Sequence, residues 1–241
     1  MGLVNDDAPD RRPRLDPAEF IKANMRLASV PALPEIWLYS AHPSSGLRRL
    51  VEGHDADSQE PQPPYWAYAW AGGAVLARYV LDHPEIVAGR RVLDLGAGSG
   101  LVGIAAAKAS ACEVMAAEVD RNGVAALALN AAANGVTITI MGNDITTGQP
   151  PAVDLVLAGD VFYGQGVALG MMPFLDRCLA AGIEVLVGDP GRAYLPRSRL
   201  RLLAEYKVPD FGEAKDGALK PSAVFRLETE PSLALPIRPS P

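Results

Sequence analysis

The stretch Arg91–Ala109, "RVLDLGAGSGLVGIAAAKA", decides how the rest of the chain is read. A short apolar run, RVLDL, has the pattern of a buried strand, and a helix of small residues follows a glycine-rich turn. Glycine at such a turn lets backbone approach a ligand with no Cβ in between. Two glycine registers overlap here. Gly96-Ala-Gly98-Ser-Gly100 is a G-x-G-x-G, and Gly98-Ser-Gly100-Leu-Val-Gly103 is the G-x-G-x-x-G of dinucleotide-binding loops. The pattern marks a nucleotide-like ligand without saying which one.

Neighbouring acids narrow the choice. Asp94 falls inside the strand, two residues before Gly96. A carboxylate there repels a pyrophosphate, whereas a zwitterionic ligand carrying an ammonium and a sulfonium tolerates it. The other reading of Asp94 is an acid that caps a helix or orders the loop. Glu118, at the end of the second strand in CEVMAAE, can accept from both hydroxyls of a ribose, a geometry common to several nucleotide-binding sheets. Asp144, in MGNDITT, either accepts from an adenine amino group or belongs to an ordinary Asn-Asp turn.

Outward from the loop the pattern is regular. CEVMAAE, VTITIM, AVDLVLAG, EVLVGD and SAVFRLE read as further strands. The segments RNGVAALALNAAANG, GVALGMMPFLDRCLAA and RSRLRLLAEYK read as helices between them. Strands alternating with helices predict an α/β fold with a parallel sheet covered on both faces. A ligand then sits beyond the carboxyl ends of the strands, beside the first. Upstream, DPAEFIKANMRLASV (16–30) predicts one helix, with Asp16 as cap and Pro17 in the first position. PEIWLYSA predicts a short strand, DADSQEPQPP (55–64) a proline-rich loop, and YWAYAWAGG an aromatic cluster ending in a Gly-Gly break before a helix from Ala74. The expected division is a disordered tail at 1–14, an extension with the aromatic segment at 15–73, the main domain at 74–228, and a proline-rich tail at 229–241.

A chain of 241 residues that is 49% hydrophobic can bury a large core. No apolar run approaches the roughly 20 residues a membrane span needs. The first residues lack the apolar segment of a secretory signal, and Asp6 stands where N-myristoylation needs Ser or Thr. Cys112 and Cys178 read as buried thiols of a reducing, cytoplasmic compartment. A net charge of −6 argues against a nucleic-acid partner. His42, His54 and His83 are dispersed and no Cys/His cluster has metal spacing, so no metal is expected.

Three further stretches give the pattern a family likeness. VLDLGAGSG resembles motif I of the seven-strand S-adenosylmethionine-dependent methyltransferases, with Glu118 in AAEVD as their second-strand acid. DLVLAGDVFY (154–163) resembles the fourth-strand motif of the protein lysine methyltransferases, and PYWAYAWAGG (64–73) their aromatic segment. Together with VGDPGR (187–192), the combination is most similar to the electron transfer flavoprotein β-subunit lysine methyltransferase family, in a bacterial form. The resemblance spans about Trp66 to Glu228. It implies a Rossmann-like, seven-stranded, mostly parallel sheet of the class I methyltransferases. It also implies S-adenosylmethionine as cofactor, leaving as S-adenosylhomocysteine, and a protein substrate, the flavoprotein β-subunit.

Transfer of a methyl group to lysine needs a neutral, aligned and water-shielded amine, although free lysine has a pKa of roughly 10.4. The expected cofactor residues are Trp70, Asp94, Gly96, Gly98, Gly100, Glu118, Asp144 and Gly159. Asp160 and Tyr163 are the expected catalytic residues, Asp160 receiving the ammonium. Trp66, Tyr68 and Phe162 are expected to bind substrate, Phe162 and Tyr163 walling a channel and the others offering ring faces to a cation. Plain packing is the alternative for these aromatics. Asp189 and Arg192 are expected to order a loop. An acidic single domain gives no reason to expect more than a monomer. Other readings are a methyltransferase of a ribosomal protein or small molecule, an NAD-dependent oxidoreductase using Gly98, Gly100 and Gly103, and a non-catalytic module keeping the pocket.

Overall fold

The computed structural model describes residues 15–51, 63–210 and 219–230. The expected tail at 1–14, most of the expected tail at 229–241 and most of the 55–64 loop lie outside the described residues. The chain opens with helix α1 (Pro17–Asn24) and an antiparallel hairpin of β1 (Arg26–Val30) and β2 (Leu33–Ser40). Asp16 caps α1 through the amides of Ala18 and Glu19, but the helix stops at Asn24. Residues 26–30, expected in the same helix, are strand β1, because Leu27, Ala28 and Ser29 pair with β2 instead. A short helix α2 (Arg48–Val51) and a single 3-10 turn at Tyr65–Ala67 lead to α3 (Ala71–Asp82).

The main sheet contains β3 (Arg91–Leu95), β4 (Glu113–Ala117), β5 (Thr139–Met141), β6 (Leu155–Gly159), β7 (Glu184–Asp189), β8 (Leu200–Pro209) and β9 (Leu219–Leu227). Helices α4 (Leu101–Lys108), α5 (Arg121–Ala133) and α6 (Gln165–Ala180) connect the parallel strands. The order is β5-β4-β3-β6-β7-β9-β8, with β9 antiparallel to both β7 and β8. The sheet is therefore seven-stranded and mostly parallel, as expected. The strand order reverses between β3 and β6, and a crevice opens there at the carboxyl ends.

One element differs from its sequence pattern. RSRLRLLAEYK reads as a helix, yet Leu200–Pro209 is the edge strand β8. Its register slips between Leu202 and Ala204. The bulge breaks strict alternation, and the resulting spacing of Leu200, Leu203 and Tyr206 imitates a helical face. Arg201, Glu205 and Lys207 are exposed along this edge, which blunts it against pairing with another chain.

Alternation along the strands builds two cores. Val92, Leu155, Leu157 and Leu186 pack with α3 and α4 on one face. Leu93, Leu95, Val156, Val185 and Val187 pack with Phe174, Leu175 and Cys178 of α6 on the other. Each such side chain contributes about 1.5–3 kcal/mol on burial. A third cluster joins α1 to Trp66 and to Ala126 of α5. Among the described residues, no helix is long and apolar enough to cross a membrane. Both cysteines are free. Cys178 is buried as expected, whereas Cys112 is exposed, because it precedes β4 at the amino end of the sheet.

Candidate active site

A cleft of about 1180 Å³ occupies the crevice at the carboxyl ends of β3, β4, β6 and β7. The glycine turn forms its floor. Gly96, Gly98 and Gly100 have φ of 68°, 53° and 81°, in the left-handed region that β-carbons disfavour. A Cβ on Gly100 would also lie 2.9 Å from Leu127 Cγ, so α5 packs directly on this turn. The turn is held from outside by Asn130, fully buried in α5. Its amide donates to Ser99 O at 2.8 Å and accepts from Tyr39 N at 2.8 Å, linking the glycine turn to the amino-terminal hairpin.

Asp94 both caps a helix and borders the cleft. Its Oδ2 accepts from Gly103 N at 2.8 Å, capping the first turn of α4, and the residue also lines the cleft. A Cβ on Gly103 would stand 3.1 Å from that oxygen, which gives the second glycine register its own cause: close approach of helix to strand. Asp94 is 1% exposed, and burial pushes its carboxyl up to about 7, assisted by the charge of Glu118 and opposed by the Gly103 amide. Glu118 accepts from Gly98 N at 2.7 Å and Asp120 N at 2.8 Å, and burial raises its carboxyl too. Each carboxylate oxygen has two lone-pair directions, so both oxygens of Glu118 can accept again from a ligand. Asp144 lies on the rim, where its Oδ1 accepts from the amide and hydroxyl of Thr146, at 2.8 and 2.7 Å.

The opposite wall is built by backbone contact. The Gly72-Gly73 pair, expected to break the chain, lies inside the first turn of α3, which starts at Ala71. A Cβ on Gly72 would meet Gly188 O at 2.3 Å, one on Gly188 would meet Gly72 O at 2.2 Å, and one on Gly159 would meet Gly73 Cα at 2.8 Å. The ends of β6 and β7 thus touch α3 with no side chain between them. Asp160 follows β6 with φ of 56°. This left-handed turn, which Asp tolerates better than most residues, aims its carboxylate inward. Oδ2 accepts the amide of Gly72, capping α3 across the sheet, and Oδ1 accepts from Arg192 Nε at 2.8 Å. Asp160 is 9% exposed, and burial raises its carboxyl despite Arg192. Both oxygens already have a partner, so Asp160 is a fixed, charge-paired acid on this wall.

Aromatic residues close the mouth. Trp70, the residue before α3, donates its indole N–H to Tyr65 O at 2.7 Å and meets Tyr65 and Tyr68 edge-on. The guanidinium of Arg192 lies 5.9 Å from its ring centroid. Tyr163 packs on Tyr65 with ring centroids 5.0 Å apart and is 44% exposed. Its phenol is raised by burial and stays protonated. Trp66 and Tyr68 line the cleft, and Trp66 Nε1 is buried without a partner. Phe162 does not join them. Its ring is fully buried in the core with Phe174 and Leu175 of α6, because the turn that follows β6 directs it away from the cleft. Asp189 does order a loop: its Oδ1 accepts from Gly191 N and Arg192 N, both at 2.6 Å.

The sequence pattern did not single out Asn130, Gly72 or Gly188, nor Asp210 and Lys220, which reach this wall from β8 and β9. An asparagine flanked by apolar residues in ALALNAAA was the one available signal for Asn130. The others depend on contacts between distant strands.

The donor set fits a nucleoside carrying a charged amino-acid arm. There are backbone amides at the turn, a carboxylate at the end of β4 and a buried acid at the end of β3. The volume exceeds the roughly 300–1,000 Å³ of a typical ligand pocket, which leaves space for a second reactant. This fold and cleft define a class I methyltransferase. Among solved structures, the ribosomal protein L11 methylase from Lactobacillus delbrueckii subsp. bulgaricus has the same fold, with a TM-score of 0.50 at 20% identity over 73% of this chain and 91% of that one. The chain belongs to the lysine methyltransferase family, whose model matches residues 66–194. It is 38% identical over 174 residues to the electron transfer flavoprotein beta subunit lysine methyltransferase of Danio rerio, covering 70% of this chain and 67% of that protein. The Mus musculus protein of the same name is 34% identical over 220 residues, covering 88% and 85%. The protein is thus an S-adenosylmethionine-dependent enzyme that methylates lysine.

Proposed function

We propose that this enzyme methylates lysine side chains of the electron transfer flavoprotein β-subunit. The relatives named for that substrate support the reading, and so does one observation. A single cleft carries a nucleotide-type end, at Glu118 and the glycine turn, and an aromatic end open to solvent at Tyr163. In this reading Glu118, Asp94, Gly96, Gly98 and Gly100 hold S-adenosylmethionine, with Asp144, Gly159 and Trp70 around it. When bound, the cofactor supplies a methyl carbon made electrophilic by a sulfonium.

Everything else falls to the chain itself. Asp94 and Glu118 offer negative charge to a cationic ligand. Trp66, Tyr68 and Trp70 wall the path of a lysine stem and exclude water, and the Tyr163 hydroxyl borders its amine. Asp160, tied to Gly72 and Arg192, fixes that wall and keeps a carboxylate near the amine. Positioning supplies most of the rate in such a transfer. The reading includes a monomer in a reducing, cytoplasmic setting, which the two free thiols support; the Cys178 thiol is pushed up to about 11 by burial.

The test is incubation with methyl-labelled S-adenosylmethionine and purified electron transfer flavoprotein, beside a lysate of cells lacking this enzyme. Label on a β-subunit lysine, strongly reduced in Tyr163→Phe and Asp160→Asn, is the expected result. Label confined to other lysate proteins would discard the substrate and keep the reaction.

A further inference from the structure

Four charged side chains form a continuous chain along the wall beside Asp160. Arg192 binds Asp160 through Nε at 2.8 Å and reaches Asp210 Oδ2 through Nη2 at 3.6 Å. Lys220 Nζ lies 3.3 Å from the same Asp210 oxygen. Arg192 and Lys220 line the cleft, whereas Asp210 does not border it and is fully buried at the end of β8. The second oxygen of Asp210, Oδ1, is buried with no hydrogen-bond partner.

This arrangement is poor as a device for stability. A buried carboxylate with one oxygen unused is costly, and replacing buried ion pairs with apolar groups is often neutral or stabilising. Its effect is positional. Lys220 sits on β9 opposite Val208 of β8, and Arg192 lies in the loop after β7, so a single carboxylate ties three segments to one point behind the wall. Asp189 fixes the backbone of that loop, and Asp160 and Asp210 both act on the Arg192 side chain.

We infer that Asp210 is a positioning residue for the substrate end of the cleft. It sets Arg192 against Asp160 and holds Lys220 on the wall past which the lysine-bearing chain enters. The inference rests on the lysine methyltransferase reading of the cleft and adds a residue outside it. Glu118 and the glycine turn lie at the other end, so the effect of Asp210 falls on the protein substrate and not on the cofactor.

The experiment is a double-mutant cycle of Asp210→Asn and Lys220→Gln, read as kcat and KM for labelled methyl transfer to the flavoprotein and to the lysate. S-adenosylmethionine affinity is measured by calorimetry and Tm by dichroism. Asp210→Asn is expected to lower kcat/KM for protein by about tenfold or more while cofactor Kd stays within about twofold. Asp210→Glu should recover part of the loss, and the double variant should be no worse than Asp210→Asn. Losses that fall equally on cofactor affinity, follow Tm, or add up across the cycle would reduce Asp210 to a structural residue and overturn the inference. Should Asp210→Asn fail to fold, Lys220→Gln alone must show the same split between protein KM and cofactor Kd. One arm needs no substrate. Reductive methylation by formaldehyde, read by mass spectrometry, should be faster at Lys220 in Asp210→Asn and unchanged at Lys22 and Lys108. Unchanged labelling of Lys220 overturns the positioning role, even where absence of enzymatic transfer to any protein has already refuted the substrate reading.

Discussion

Replacing Asp94 with asparagine should stabilise the protein at and above neutral pH, by an amount that grows between about pH 4 and about pH 7 and is constant beyond. The carboxyl of Asp94 is raised from 3.8 to about 7 in the fold, chiefly by burial. The folded chain therefore holds this proton where the unfolded chain has already lost it. Stability from this group is full below about pH 4 and is lost progressively as the pH rises to about 7. The difference between those two values corresponds to about 4 kcal/mol. Asparagine keeps an oxygen for the Gly103 amide and has no charge to bury, so its curve lacks this slope. Asp189, raised to about 6, and the raised Asp160 add slopes of the same sign in both proteins, and subtraction removes them; Glu118, whose charge acts on Asp94, leaves a smaller difference of the same sign. Urea unfolding followed by circular dichroism at several pH values between about 4 and 8 gives the two curves. The variant should lead by up to about 4 kcal/mol at the alkaline end and by nothing at the acid end. A difference that is constant with pH, or a wild type more stable at the alkaline end, would refute the burial argument. The same variant should bind S-adenosylmethionine more weakly, because it has exchanged a carboxylate for an amide.

Other expectations rest on single contacts. Gly188→Ala forces a Cβ to within 2.2 Å of Gly72 O, and the accommodation should cost about 1–3 kcal/mol, read as a lower Tm with cofactor present or absent. Asn130→Ala leaves Ser99 O and Tyr39 N without their side-chain partner, and a loss of about 1–3 kcal/mol in stability, read from urea unfolding, is expected, together with weaker cofactor binding. Glu118→Ala should raise the calorimetric Kd for S-adenosylmethionine by about tenfold or more, since it removes a charged acceptor and unties Gly98. Tyr163→Phe should leave Tm and cofactor Kd nearly unchanged while lowering kcat, since only a hydroxyl at the exposed mouth is lost.

What could be read from the sequence follows the range of the forces involved. The strand–turn–helix at Arg91–Lys108 is local, and its apolar run and glycines carried both the fold class and the ligand type. The position of Glu118 beside the cleft could be read because its place at a strand end is also local. β8 could not, because a bulge at Leu202–Ala204 is a property of its pairing with β9 and leaves a helix-like spacing in the chain. The capping of α3 by Asp160 was hidden for a similar reason. It joins residues 88 positions apart, and nothing near Gly72 signals that its amide has a partner. Phe162 was misplaced by assuming that a residue between two cleft residues faces as they do, whereas the turn after β6 sends its ring into the core.

The contact of α3 with β6 and β7 through Gly72, Gly159 and Gly188 has a bearing on how this enzyme could acquire new substrates. A boundary made of main chain cannot be reshaped by changing rotamers, and any added carbon there meets backbone. Variation in what the enzyme accepts must therefore come from the rest of the rim, where exposed side chains such as Tyr163 can be exchanged without disturbing the sheet. Diversity in the family should collect on that side of the opening, with the glycine side left almost invariant.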